Sequence, residues 1–220
     1  MIDPPQRRKI TMNAVVVAID SNHDFATTAA FNYRQQNVYP YIDEKGFILE
    51  RCQGQLACRI YVASAASRSN VVYLTGVGHG SYDTFTGHYY NAIFTVGNYS
   101  PEESQGKIIH FLSCQIAARL GVDFVNCGCL AFFGYDIDFI FIPTTADIFF
   151  KCDSEIDRAF AEGLTAEEVY QRVYTLYTQY AEESFLQGDF NTFKYLETDR
   201  DHLCAPSVDP RWGDCQARLE

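Results

Sequence analysis

The sequence is poor in positive charge: 17 Lys and Arg residues stand against 28 Asp and Glu residues, for a formal net charge of -11. Nucleic-acid binding needs a basic face that neutralises phosphates, and anionic membranes attract polybasic segments. The composition therefore argues against both, and we expect no nucleic-acid partner and no membrane partner. The excess of negative charge favours basic substrates or partner proteins through long-range attraction.

Long apolar runs are also missing, because none reaches the roughly 18 residues that a transmembrane helix requires. The N-terminal residues 1–11 contain two prolines and three basic residues, but lack the apolar core and cleavage site of a signal peptide. Both observations favour a cytoplasmic protein.

The eight cysteines lack the spacing of a metal site. Cys127 and Cys129 are separated by one residue, and no second pair or nearby histidine completes four zinc ligands. A chain of 220 residues is also too long to be a disulfide-stapled miniprotein. We therefore expect most cysteines to be small buried hydrophobes in a reducing compartment, with no metal and no cofactor.

Several common catalytic and nucleotide-binding motifs are absent. Residues 75–80 are rich in glycine, but Ser81 breaks the G-x-G-x-x-G spacing of a dinucleotide site. The sequence contains no G-x-S-x-G, H-E-x-x-H or P-loop motif.

The sequence does contain apolar runs of strand length, and its hydrophobic fraction of 47% is ample for a sizeable core. Continuous apolar runs of this length are typical of buried parallel strands. The predicted strands are residues 13–20, 47–50, 71–78, 107–114 and 129–135. We predict one α/β domain over residues 1–220, with a mostly parallel sheet of about six strands flanked by helices. Its core spans residues 13–190, and residues 199–220 form a mostly irregular tail.

Helical spacing and capping residues place the connections between these strands. The predicted helices are residues 25–36, 56–66, 115–124, a segment from Asp153 or Ser154 to Gly163, and one that opens at the capping box of Thr165 and Glu168. Residues 37–46 are predicted to be a loop. Residues 81–106 are predicted to contain a hairpin or flap.

Polar or reactive residues stand where four of the predicted strands end: Asp20, His79, Cys114 and Asp136. In open parallel sheets, sites form outside the carboxyl ends of strands. The sequence therefore predicts a cleft at that edge. Ser21, Asn22 and Asp24, which follow the first strand, indicate a turn or a helix cap.

A cysteine and a histidine at one sheet edge suit thiol acyl transfer, in which the thiolate attacks and the imidazole moves the proton. A helix beginning near Gln115 is expected to lower the pKa of Cys114 through its dipole. The backbone N–H groups of Gly80 and Cys114 are expected to stabilise the oxyanion of the tetrahedral intermediate.

These residues resemble the caspase-like cysteine peptidases, in which one apolar strand ends in His-Gly and a later one ends in Cys. The matching segments are residues 71–80, 108–115 and 129–134, and the resemblance covers about residues 13–136. It implies a three-layer caspase-like fold, a catalytic dyad of His79 and Cys114, and a contribution of Gly80 to the oxyanion hole. The closest likeness is to small stand-alone prokaryotic members, some of which act on partner proteins, so a regulatory partner protein is possible.

The sequence departs from the caspase pentapeptide Gln-Ala-Cys-Arg-Gly, so aspartate specificity does not carry over, and no third catalytic residue is identified. Asp20, Asp83 and Asp136 are instead expected to bind substrate and to favour cleavage after Arg or Lys. Asp20 is the first choice for the pocket base. The alternative for Asp20 and Asp136 is that they cap helices or turns.

Three functions remain open from the sequence. The first is a cysteine endopeptidase that acts on protein or peptide substrates. The second is a catalytically silent caspase-like module that binds a partner, and the third is a flavodoxin-like domain in which His79 and Cys114 are structural. The other histidines are expected to be incidental: His23, His88, His110 and His202. His110, in mid-strand, is expected to point away from Cys114 or to be buried.

Overall fold

The computed structural model describes residues 14–219. The N-terminal stretch 1–11, Asn13 at the start of the first predicted strand and Glu220 at the end of the predicted tail therefore lie outside the described residues. The strands of this part of the chain are β1 (Val15–Asp20), β2 (Ile48–Gln53), β3 (Val71–Val77), β4 (Thr84–Thr86), β5 (Ala92–Thr95), β6 (Ile108–Leu112), β7 (Ala131–Tyr135) and β8 (Leu203–Cys204). The α-helices are α1 (Phe25–Asn37), α2 (Tyr39–Glu44), α3 (Arg59–Ala66), α4 (Leu120–Asn126), α5 (Ala146–Ala161), α6 (Ala166–Leu186) and α7 (Phe190–Asp201).

Six strands form one sheet in the order β2-β1-β3-β6-β7-β8, in which only β8 runs antiparallel to its neighbour. This confirms the prediction of an α/β fold with about six mostly parallel strands. Strands β4 and β5 pair antiparallel with each other and confirm the hairpin predicted within residues 81–106.

The sheet separates two apolar cores, so the molecule has three layers. Along β1, Val16 and Ala18 face the core shared with α1, α2, α5, α6 and α7. Val15, Val17 and Ile19 face the opposite core, which contains α3, α4 and the hairpin. Strand side chains alternate between the two faces, and both faces of this sheet are covered, which explains why the strand is apolar throughout.

The direction of the chain across the sheet reverses beside β1. The chain passes from β1 through α1 and α2 to β2 on one side, whereas β3, β6 and β7 follow on the other side. Ligand sites of open α/β sheets form outside the carboxyl ends of strands at such a reversal. The region beyond the ends of β1, β3 and β6 is therefore where a site is expected.

Several predicted elements need correction. Residues 37–46, predicted as a loop, contain α2, whose first turn accommodates Pro40 because a first-turn N–H has no intrahelical acceptor. Helix α5 begins at Ala146 rather than after Asp153 or Ser154, both of which are buried in mid-helix. The apolar residues 148–150, which precede them, belong to the first turns of this helix.

The tail is more ordered than predicted, because β8 pairs with β7 and Trp212 is buried with its Nε1 donating to the carbonyl of Ala117 at 3.0 Å. A strand of two residues is too short to leave a sequence pattern.

The capping box that opens α6 is confirmed: the N–H of Glu168 donates to Thr165 Oγ1, and the N–H of Thr165 donates to Glu168 Oε2. None of the helices in residues 14–219 combines the length and the apolar character needed to cross a membrane.

Candidate active site

His79 lies two residues beyond the end of β3, at the carboxyl edge of the sheet. Its side chain is 33% exposed, and its Nε2 lies 2.6 Å from Oδ2 of Asp24. Asp24 is the N-cap of α1, where its Oδ1 accepts hydrogen bonds from the N–H and the hydroxyl of Thr27 at 2.9 and 3.0 Å. One carboxylate therefore caps a helix and holds the imidazole.

The charge state of Asp24 determines which nitrogen of His79 carries a proton. Partial burial opposes ionisation of Asp24, but hydrogen bonds from Thr27 and His79 outweigh it and lower its pKa to about 2. An ionised carboxylate can only accept, so Nε2 of His79 is the donor. In the neutral imidazole, Nδ1 then keeps its lone pair and can accept a proton.

The hairpin holds His79 from the other side. The N–H and the hydroxyl of Thr86 donate to the carbonyl of His79 at 2.8 and 3.0 Å. Tyr90, in the connection between β4 and β5, stacks on the imidazole with ring centroids 4.9 Å apart and planes inclined by 25°. The prediction of a hairpin or flap beside His79 is confirmed.

Cys114 lies two residues beyond the end of β6, the strand that pairs with β3. The next residue, Gln115, has a φ of 61°, a left-handed conformation that costs a residue with a Cβ about 1–2 kcal/mol. The N–H of Gln115 donates to the carbonyl of Ile137 at 2.8 Å, which anchors the turn to the loop after β7. A tight turn therefore presents Cys114 at the edge of the sheet.

The two strand-end loops are in direct contact through Gly80. A Cβ at Gly80 would lie 2.3 Å from Oγ of Ser113 and 2.6 Å from the carbonyl oxygen of Cys114. No side chain fits at that distance, so glycine is what allows the His79 loop to approach the Cys114 turn.

A cavity of about 80 Å³ lies where these loops meet, and both His79 and Cys114 line it. Its other lining residues are small or apolar: Ala26, Thr27, Ala30, Val77, Gly78, Leu112, Ser113, Phe139, Phe141 and Phe150. Among the described residues, no hydrogen bond joins the two reactive side chains, as is common for resting catalytic pairs. The structure thus brings the predicted pair to one cavity.

The helix predicted to begin near Gln115 is wrong in position. Residues 114–119 form turns, and α4 begins only at Leu120, so no helix N-terminus adjoins Cys114. The predicted lowering of the pKa of Cys114 is wrong as well. Burial raises the pKa of this thiol; the N–H of Phe139 opposes the rise, and the nearby carboxylates of Asp138 and Asp199 add to it.

The backbone N–H groups of Gly80 and Cys114, predicted to bind an oxyanion, have no acceptor within residues 14–219. Gly80 pairs with Phe85 in an isolated antiparallel bridge, but the hydrogen bonds of that bridge use the neighbouring residues. Both N–H groups therefore remain free to donate to a ligand.

Asp20 does not lie where a substrate could reach it. Its carboxylate is fully buried, accepts from Tyr39 Oη at 2.5 Å and Gln53 Nε2 at 3.1 Å, and lies 3.6 Å from Arg34 Nε. Burial raises the pKa of Asp20 in spite of Arg34. This carboxylate already has a cationic neighbour, so the structure argues against the predicted contact with a substrate.

Asp83 and Asp136 are also outside the cavity lining. Asp83 accepts from the hydroxyls of Ser81 and Thr84, which lower its pKa, and it therefore serves the turn into β4. Asp136 lies 2.8 Å from Nδ1 of His202. The three carboxylates thus have separate partners, and none of them lines the cavity that His79 and Cys114 share.

Sequence reasoning treated Asp24 only as a turn or cap residue and missed its contact with His79. The sequence did contain a signal for this contact. Asp24 follows the end of β1 by four residues, and β1 pairs in parallel with β3, so the segments that carry Asp24 and His79 leave the sheet at the same edge.

A comparison of the chain with protein-family models gives no match, and a comparison with curated proteins gives none either.

Proposed function

We propose that this protein is a caspase-like cysteine endopeptidase in which Cys114 is the nucleophile, His79 the general base and Asp24 the residue that positions His79. The observation that carries the proposal is the shared cavity: His79 and Cys114, from adjacent strand ends, line it together. The hydrogen bond from His79 Nε2 to Asp24 adds the orienting partner that nucleophile–base pairs typically have.

The protonation states define the first step. The raised pKa of Cys114 means that the resting group is a thiol, so its proton must be removed during attack. His79 is the acceptor: its Nδ1 takes the proton while Sγ bonds to the carbonyl carbon of the substrate. The resulting imidazolium is stabilised by the ionised carboxylate of Asp24.

The later steps reuse the same groups. The N–H groups of Gly80 and Cys114 donate to the oxyanion of the tetrahedral intermediate. The carbon–nitrogen bond breaks as His79 gives its proton to the leaving amine, which leaves a thioester on Cys114. His79 then deprotonates a water that hydrolyses this thioester and restores the thiol.

The experiment is labelling and hydrolysis with peptides. An electrophilic peptide should label the parent protein and the Cys215→Ala variant, because Cys215 is a partly exposed cysteine of the tail that does not line the cavity. Cys114→Ala should block labelling, and both Cys114→Ala and His79→Ala should reduce peptide hydrolysis by several orders of magnitude. Near-parental turnover by either variant, in material free of contaminating protease, would contradict the mechanism.

The second candidate is a catalytically silent module of the same fold that binds a partner. The observation in its favour is the raised pKa of Cys114, which makes the thiol a weak nucleophile without an acting base. Labelling decides between the two: a protein that binds the peptide scaffold but never forms the Cys114 adduct is a binding module. A purely structural role for both residues is disfavoured because they share one cavity.

Cleavage after Arg or Lys stays part of the proposal, but the carboxylate proposed to bind that side chain is now Asp138. Asp138 is exposed, accepts from Gln115 Nε2 at 2.8 Å, and is close enough to raise the pKa of Cys114. An Arg or Lys side chain before the scissile bond could pair with it by a charge-assisted hydrogen bond.

Peptides that differ only in Arg or Leu before the scissile bond test this assignment. Asp138→Asn should lower kcat/KM for the Arg peptide by about tenfold or more and leave the Leu peptide nearly unchanged. Asp136→Asn is the matched control, since Asp136 binds His202 outside the cavity. Equal losses on both peptides, or a preference of the parent for Leu, would remove Asp138 from the specificity pocket.

The eight cysteines are all unpaired, which suits a reducing compartment, so the proposal places the enzyme in the cytoplasm. Proteins or peptides are its proposed substrates.

A further inference from the structure

We propose that His23, Asp24 and His79 form a binding site for a divalent transition-metal ion of the Zn²⁺ type. One ligand atom from each residue lies within 4.8 Å of the other two. Oδ2 of Asp24 is 2.6 Å from Nε2 of His79 and 3.4 Å from Nε2 of His23. Two imidazoles and one carboxylate are a ligand set that suits Zn²⁺ and related ions.

His23 supplies the observation that points to a ligand. Its side chain is only 4% exposed, yet its Nε2 has no hydrogen-bond partner. Its other ring nitrogen, Nδ1, lies 2.7 Å from Oγ of Ser21. Metal-binding histidines typically donate the second N–H to an oxygen, which fixes the tautomer and leaves the first nitrogen free for the metal. The contact between His23 Nδ1 and Ser21 Oγ fits this arrangement when Nδ1 carries the proton.

The two separations that involve Asp24 suit a tetrahedral ion after a small adjustment, and the two imidazole nitrogens lie within 4.8 Å of each other. Ligand atoms about 2.0–2.1 Å from Zn²⁺ lie about 3.4 Å apart in a tetrahedron. The pair of His23 and Asp24 already has this separation. The pair of His79 and Asp24 is at hydrogen-bond distance, so its two atoms must move apart by about 0.8 Å as the ion replaces the shared proton.

Tyr90 packs against both histidines, which limits how far their rings can turn. Its ring centroid lies 4.7 Å from that of His23 and 4.9 Å from that of His79. Three protein ligands leave the fourth position of a tetrahedral ion to a water or a substrate group. Cysteine spacing alone predicts no metal, whereas this set joins two adjacent residues, His23 and Asp24, to His79, which lies 55 positions after Asp24.

The consequence for hydrolysis rests on the proposed function. A metal ion on Nε2 of His79 displaces the proton of that nitrogen, and the neutral ring then carries its proton on Nδ1. Nδ1 can no longer accept the proton of Cys114, and Asp24 is engaged by the metal. Zn²⁺ should therefore inhibit peptide hydrolysis reversibly, and a chelator should restore it.

Binding is tested without substrate, on the full chain carrying Cys114→Ser to remove the thiol that shares a cavity with His79. Calorimetric titration with Zn²⁺ should show one tight site per chain. Co²⁺ should give the visible spectrum of nitrogen and oxygen ligands without thiolate charge transfer. Adding His23→Gln should weaken Zn²⁺ binding by at least about tenfold. Adding His202→Gln should not, because that exposed histidine binds Asp136 elsewhere.

Thermal melting of each variant shows whether the fold is retained. If the His23→Gln variant is unfolded, the Ser21→Ala variant is used instead. Ser21→Ala keeps His23 and removes only the hydroxyl that contacts its ring, so it should also weaken Zn²⁺ binding. Unchanged affinity in the folded variants, or a thiolate band with Co²⁺, would overturn the site. Zn²⁺ that binds there without slowing hydrolysis by the parent would overturn the inhibition alone, and the absence of hydrolysis would count only against the proposed function.

Discussion

At the scale of a single residue, the two carboxylate oxygens of Asp24 make different contacts, one with the start of a helix and one with His79. Oδ1 caps α1 through Thr27, and Oδ2 contacts Nε2 of His79. Asn at an N-cap is about as effective as Asp, so a change to Asn should keep the cap and lose the charge. The two tasks can therefore be measured separately.

Asp24→Asn should lower kcat at least about tenfold, because a neutral amide cannot stabilise the imidazolium and can favour the wrong tautomer of His79. Its melting temperature should stay within a few degrees of the parent value. Asp189→Asn is the matched control, since Asp189 caps α7 through Thr192 and neither residue lines the cavity, and it should leave kcat unchanged. Unchanged kcat in Asp24→Asn would remove Asp24 from the mechanism.

Gly80 illustrates how one missing Cβ allows two strand-end loops to approach each other. In Gly80→Ala, the added methyl would meet Ser113 and Cys114 at distances that no real Cβ shows. Overpacking of this kind typically costs about 1–3 kcal/mol, and here it should also displace Cys114, the proposed nucleophile. We expect a lower melting temperature together with a larger loss of kcat/KM than stability alone explains.

Gly97→Ala is the control for this substitution, because a Cβ there meets nothing within 4 Å and only the φ of 71° opposes it. It should lower stability modestly and leave kcat/KM of the folded protein unchanged. Should Gly80→Ala retain full activity, the close approach of the loops would have no catalytic importance.

At the scale of elements, the strands could be predicted from the sequence, whereas the segment that follows β6 was predicted to be a helix and is a turn. The strands were predictable because both faces of each central strand are covered, which leaves a continuous apolar run. The turn after Cys114 was not, because Gln115 is held by Ile137 and Asp138, about 22 residues away. Ile116 and Ala117 are apolar and imitate a helix start, but they are buried in a turn.

A buried charged cluster joins β6 to α5. Nε2 of His110 lies 3.1 Å from Oδ1 of Asp153, and its Nδ1 lies 3.3 Å from Oδ1 of Asp157. Burial disfavours the imidazolium, but these two carboxylates outweigh it and raise the pKa of His110 from 6.5 to about 9. The expectation that His110 is buried is confirmed, and it serves the attachment of α5 to the sheet.

The raised pKa of His110 predicts how stability depends on pH. The folded state holds this proton more tightly than the unfolded state, so the stabilisation is complete below about pH 6.5 and is lost as pH rises to about 9. The loss in free energy of unfolding should amount to about 3 kcal/mol at most. Urea unfolding across this range should show the decline in the parent.

His110→Gln should lower stability at neutral pH and flatten the decline, since no proton is then released. His202→Gln, at an exposed histidine, is the control and should keep the slope of the parent. An unchanged slope in His110→Gln would show that the imidazolium does not contribute as argued.

At the scale of the whole molecule, strand ends predicted which backbone segments meet, but not where their side chains point. His79 and Cys114 were predictable as neighbours because β3 and β6 pair in parallel and end at the same edge. Asp20 ends the adjoining strand, but it continues the alternation of Val16 and Ala18 and so enters the core beside Arg34. The position of Arg34 on α1 depends on helix packing, which the strand pattern does not encode.

The net charge of -11 acts over the whole molecule, and its effect differs from that of Asp138 in its dependence on salt. Attraction between a cationic peptide and the distributed negative charge is screened over about 10 Å at 0.1 M salt, whereas a contact ion pair is screened less. Raising KCl from about 0.05 to 0.5 M should therefore lower kcat/KM for an Arg peptide and change that of a Leu peptide little. In Asp138→Asn, the Arg peptide should start from a lower kcat/KM but keep most of its salt dependence, because the remaining charge still attracts it. A salt dependence shared equally by the Arg and Leu peptides would show that the overall charge does not steer substrate to this site.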